Sequence, residues 1–114
     1  MSIIYYYNKR NKYSNDKVYI GGEEFDSKRE ARRYQELLLL QKAGKISDLK
    51  RQVKFELIPK QDGERACTYI ADFVYHNADL GKMVVEDCKG CKTEVYRIKK
   101  KLMLWVHKIK IFET

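Results

Sequence analysis

The stretch "CTYIADFVYHNADLGKMVVEDCK", residues 67–89, decides the fold. Two apolar runs flank the turn residues "NADLG", the pattern of a β-hairpin. If the strands pair about a turn centred between Asp79 and Leu80, residues whose numbers sum to 159 face each other, and Asp72 lies opposite Asp87. Strand alternation then puts Ile70, Asp72 and Val74 on one face together with Val85, Asp87 and Lys89, while Glu86 and Cys88 point the other way. Acids are uncommon inside apolar runs, and two directly opposite each other repel unless a cation lies between them. Oxygen ligands that leave room for water suit Mg²⁺ or Mn²⁺. Lys89, on the same face, would reach a metal-bound water or charge developing on a phosphate. A plain cross-strand ion pair between Asp72 and Lys89 is the structural alternative.

Working outward, "TEVYRIKKKLMLWVHK" carries Val95, Ile98, Leu102 and Trp105 or Val106 at helical spacing, with Thr93 as N-cap. The expectation is a helix that buries this stripe, Trp105 included, and turns its lysines to water. "IKIFE" resumes strand alternation. Upstream, "RQVKFELIP" alternates Val53, Phe55 and Leu57 with polar residues and stops at Pro59, which reads as a strand. "DSKREARRYQELLLLQKAG" is a helix with Ser27 and Glu30 as a capping box, an Ala31, Tyr34, Leu37, Leu38 stripe and Gly44 as its stop. Glu30 sits at the edge of that inward stripe, so it is either a cap residue or an acid reaching the hairpin's carboxylates. "KVYIGGEEF" reads as a hairpin about Gly21-Gly22 with Val18 near Phe25. Residues 1–16 form a polar, basic arm in which "IIYYY" would add an edge strand, and 17–114 form one domain.

The fold class is therefore α/β of the α+β kind, ordered α-β-β-β-α-β after an N-terminal hairpin. At 114 residues the chain supports a single core. No run approaches the ~20 apolar residues that cross a bilayer, and no secretory signal is evident, so a cytoplasmic protein with no membrane partner is expected. The formal charge is +8, and from Lys89 to Lys110 eight basic residues face a single acid, Glu94. Such a face attracts polyanions, nucleic acid above all, although a merely solvated helix face has the same composition.

"CKGC" gives Cys88 and Cys91 the spacing of half a zinc site. The remaining candidates, Cys67, His76 and His107, are scattered, so zinc is disfavoured and Cys88 is expected to pack on the sheet's back face.

Together, "FDSKREARRYQELLLLQKAGKISDL", "YIADFVY", "VVEDCKG" and "TEVYRIKKKL" resemble the PD-(D/E)XK nuclease superfamily, with its restriction-endonuclease-like core. More narrowly, they are similar to a family of small phage and prophage proteins, akin to Holliday-junction resolvases, placed in that superfamily. The resemblance implies a Mg²⁺-dependent DNA endonuclease acting on branched DNA as a homodimer, in the host cytoplasm if phage-encoded. It makes Asp72 and Asp87 the metal-binding acids, with the Cys88 carbonyl as a further ligand, Lys89 the motif lysine and Glu30 the helix acid. Lys92, Arg97, Lys100 and Lys101, with Arg32 and Arg33, are the implied phosphate contacts. Ala71 stands where the superfamily name has proline, and Glu86 precedes Asp87, so register decides which acid serves. The rival reading keeps the fold and the nucleic acid but not the cutting; a zinc-dependent interaction protein built on Cys88 and Cys91 is the other.

Overall fold

A computed structural model describes residues 17–89 and 92–114 and the backbone of 4–6. The chain runs β1 (Ile4–Tyr6), β2 (Val18–Ile20), β3 (Glu23–Phe25), α1 (Lys28–Lys42), β4 (Ile46–Ile58), β5 (Cys67–Asn77), β6 (Lys82–Asp87), α2 (Glu94–His107) and β7 (Phe112–Glu113). It is a mixed α/β protein in which the described strands form two sheets, β1-β2-β3 and β4-β5-β6-β7. No described helix is long and apolar enough to cross a membrane.

The small sheet closes on the diglycine turn, where Gly21 and Gly22 take positive φ, and Val18 pairs with Phe25 as expected. The β1 backbone adds a third strand against β2. Val18, Ile20 and Phe25 pack on Ala31 of α1. Ser27 caps α1 by accepting the Glu30 amide at 3.1 Å.

In the larger sheet the central hairpin has the predicted register, with Phe73↔Glu86, Val74↔Val85 and Asn77↔Lys82 paired. The short β7 runs parallel to β6, setting Glu86 beside Phe112 and Asp87 beside Glu113. Helix α1 covers one face through Leu37, packed with Ile46, Phe73 and Tyr75. On the other face α2 packs Tyr96 and Met103 on Leu57, Tyr69, Ala71, Val74 and Val85. Tyr69 and Ala71 thus share a face with Val74, whereas Phe73 and Tyr75 share the opposite one, so side-chain alternation breaks near Asp72. An irregularity on the neighbouring strand lies opposite it. Gln52 adopts φ 52°, uncommon for a residue with a Cβ, and the β4–β5 register passes from Arg51↔Phe73 to Val53↔Ala71 around it. One consequence corrects strict alternation: Ile70 does not join Val74 in the core but is exposed.

The second correction concerns α2. Its N-cap is Thr93, as read, yet the helix is rotated relative to the expected stripe: Tyr96 and Met103 are buried and Leu102 of that stripe packs beside them, while Val95 (62% exposed), Ile98 (56%) and Trp105 (74%) face outward. Tyr96 wins the inward position because its ring is apolar and its hydroxyl finds an acid, Glu113, at 2.8 Å.

Candidate metal and nucleic-acid site

The register carries Asp72 and Asp87 to the mouth of the hairpin, one position beyond the Phe73↔Glu86 pair. Asp87 is almost wholly buried (1% exposed) and its two oxygens differ. Oδ2 accepts a hydrogen bond from the Tyr69 hydroxyl. Oδ1 is buried without a hydrogen-bond partner, and Lys89 Nζ stands 3.6 Å from it. The Lys89 ammonium also lies 5.0 Å from the centre of the Tyr96 ring, a cation–π distance that holds it over the site.

Asp72 Oδ2 accepts the Cys88 amide at 2.8 Å, which brings the Cys88 backbone to the acid pair. Burial pushes the Asp72 carboxyl up to about 7 against that amide bond, and the charges of Glu30 and Asp87 push the same way. The Cys88 thiol packs against the back-face cluster, as expected from the sequence, lies 3.1 Å from Thr114 Oγ1, and is pushed up to about 11 by burial. Cys91 lies outside the described residues, as do residues 7–16 of the basic arm. Cys67 and Cys88 are free thiols.

Glu30 is buried beneath this site. Its carboxylate takes a 3.3 Å bond from Gln52 Nε2 and stands 3.6 Å from Arg51 Nη2. Burial raises its pKa, with the Asp87 charge among the lesser causes. Glu30 therefore spends its side chain on β4, and its electrostatic coupling to both aspartates puts it in their neighbourhood. Among the described residues no three His, Cys, Asp or Glu side chains form a group arranged to hold a metal ion. The acid pair fits an ion with few protein ligands: Asp87 Oδ1 is buried without a hydrogen bond, with the Lys89 ammonium at 3.6 Å, and the Asp72 carboxyl is driven toward its neutral form by burial. Mg²⁺ binds through one or two carboxylates and keeps several waters.

Glu86 has another task. Fully buried, it receives both Nε (2.7 Å) and Nη2 (2.9 Å) of Arg33, the Tyr75 hydroxyl at 2.7 Å and Thr114 Oγ1 at 3.3 Å. Register thus gives Asp87, not Glu86, to the Asp72 side. It also corrects Arg33, read above as a phosphate contact: its guanidinium is engaged by Glu86 and by Glu36 at 2.9 Å. An acid within "VVED" signals in sequence that a partner is needed, but nothing there identifies Arg33.

The remaining basic residues divide. Lys92, Arg97, Lys100 and Lys101 line one open groove of about 520 Å³ between α2 and β7, joined by Lys110, which the sequence reading did not single out. Arg32 is exposed on α1, apart from that lining. Lys100 and Lys92 lie 2.7 and 3.5 Å from the Glu113 carboxylate, which is held down to about 2, first by Lys100 and then by Tyr96. Tyr69, Gln52, Tyr96 and Glu113 escaped the sequence reading, because each acquires its place through contacts between strands or between helix and sheet.

No curated protein and no solved structure matches the chain. A family model described as "Protein of unknown function (DUF1064)" matches residues 10–111, and the chain accordingly belongs to that family.

Proposed function

We propose that the protein is a divalent-metal-dependent DNA endonuclease, selective for branched DNA such as Holliday junctions, built on a restriction-endonuclease-like core of the PD-(D/E)XK type. The element order α1-β4-β5-β6-α2-β7 supports that core. The observation that carries the activity is the buried Asp87 Oδ1, which has no hydrogen bond and faces Lys89 at 3.6 Å, beside an Asp72 whose proton affinity is raised.

In this proposal Asp72 and Asp87 hold Mg²⁺ or Mn²⁺, with the Cys88 carbonyl as a further ligand. The ion supplies Lewis acidity that makes water nucleophilic and neutralises phosphate charge. Tyr69 fixes the Asp87 carboxylate so that Oδ1 is the free oxygen. Lys89, steered by the Tyr96 ring, orients the attacking water and offsets charge on the phosphate. Glu30, hydrogen-bonded to Gln52, orders the acids from below. Lys92, Arg97, Lys100 and Lys101, with Lys110 and Arg32, position the DNA backbone. A homodimer cutting two strands symmetrically accompanies the resolvase analogy.

A protein of the same fold that binds nucleic acid without cutting is the alternative, favoured by the basic groove, which serves binding with or without chemistry. Cleavage assays over four-way junctions, flaps and duplex in Mg²⁺ or Mn²⁺ separate the two. Wild-type protein should cut a branched substrate, and Asp87→Asn should abolish cutting while preserving binding in EDTA. Failure of the wild type on every substrate refutes the nuclease proposal.

A further inference from the structure

The groove between α2 and β7 carries a feature that a simple phosphate-binding face does not need. Among the described residues lining it, Glu113 alone is acidic, and it sits at the convergence of the donors. Its Oε1 takes Lys100 Nζ at 2.7 Å with Lys92 Nζ at 3.5 Å, and its Oε2 takes the Tyr96 hydroxyl at 2.8 Å. A phosphodiester resembles a carboxylate in this respect, with one negative charge shared by two exposed acceptor oxygens, and it would satisfy the same three donors.

We infer that Glu113 is an internal stand-in for a backbone phosphate: its carboxylate occupies an anion subsite in the free protein, and a nucleic-acid phosphodiester engages Lys92, Lys100 and Tyr96 by displacing it. The inference rests on the nucleic-acid reading of the groove. The subsite adjoins the acid pair, since Glu113 is the parallel-strand neighbour of Asp87 and Lys89 lies over the ring of the same Tyr96. A backbone held there passes beside Asp72 and Asp87. Glu113 thereby keeps the two lysines ordered and lowers their attraction for stray anions, so that only a ligand also contacting Arg97, Lys101 and Lys110 dislodges it.

The test is binding of a fluorescein-labelled four-way junction in EDTA across a salt series. Glu113→Gln removes the competing charge while retaining an acceptor for Tyr96. Its affinity should rise about tenfold with a log–log salt slope close to that of the wild type, because the same phosphate is neutralised in both complexes once Glu113 has been displaced. Lys100→Gln should weaken binding more in the Glu113→Gln background than in the wild type, because only there is Lys100 free of its internal partner. If Glu113→Gln fails to fold, Glu113→Asp, which withdraws the charge by one methylene, should show a smaller gain of the same sign. Equal or weaker binding, or a slope steeper by roughly 0.9 because the wild type never engages that phosphate, overturns the stand-in and leaves the nuclease proposal intact. The predicted gain together with no cleavage by the wild type in Mg²⁺ does the reverse. A wild type that binds no junction refutes both.

Discussion

Arg33→Met tests the most deeply buried charge among the described residues, that of Glu86. Glu86 has no exposed surface, and Arg33 contributes two of its four hydrogen bonds, at 2.7 and 2.9 Å. Methionine retains much of the apolar stem but leaves a carboxylate with only Tyr75 and Thr114 as donors. Removing one partner of a buried ion pair costs about 3–5 kcal/mol, because the other charge stays desolvated. Arg33 keeps 22% of its side-chain surface in water, which places the expected loss near the lower end, about 3 kcal/mol. Against a total stability of roughly 5–15 kcal/mol that is a large fraction. Urea unfolding at neutral pH measures it directly, and for a domain of this size the melting temperature should fall by about 12 °C. Adding Glu86→Leu to Arg33→Met should restore part of the loss, since the orphaned charge is gone although the buried Tyr75 hydroxyl loses its acceptor. The same single variant should leave the salt slope of junction binding unchanged, because its guanidinium is not offered to phosphate. A loss under about 1 kcal/mol, or a double variant no better than the single, refutes the reasoning.

Two further outcomes follow from the site and from α2. Asp72 has a folded-state pKa of about 7 against an ordinary value of 3.8, so between those values the native state holds a proton that the unfolded chain has lost. Stability in EDTA should therefore rise as pH falls through 7 toward 4. Urea unfolding at pH 8 and pH 5 should show a larger gain on acidification for wild type than for Asp72→Asn, and equal gains would contradict a raised Asp72. Trp105, three-quarters exposed, should accept lysine with a stability change within about 0.5 kcal/mol, as surface positions do. A loss of several kcal/mol in a thermal melt would restore the expectation that it belongs to the core.

How legible the site was depends on which contacts made it. The hairpin from Cys67 to Lys89 announced its own register, because turn residues fix where two strands meet, and register alone sets Asp72 and Asp87 at neighbouring positions. The caps Ser27 and Thr93 and the Gly21-Gly22 turn are equally local, governed by side chains within three or four residues of the backbone they satisfy. The β4 strand was longer than its alternating segment suggested, since Ile46, Ser47 and Lys50 also pair with β5, across a register shift between Ser47 and Lys50 that breaks the period-two pattern.

Only the tertiary structure decided which face of α2 is buried. Val95, Ile98 and Trp105 have the spacing of a core stripe, but Tyr96 and Met103 meet the sheet, because Glu113 on β7 gives the tyrosine hydroxyl a partner that no helical periodicity encodes. The break in alternation at Asp72 likewise lies across from Gln52, a residue twenty positions away whose backbone is left-handed. Arg33 and Glu86, fifty-three residues apart, exchange an apparent phosphate contact and an apparent spare acid for a buried pair. Short-range stereochemistry is written in the order of the residues; desolvation and charge pairing are not, because they are settled by whichever distant groups the fold brings within hydrogen-bond reach.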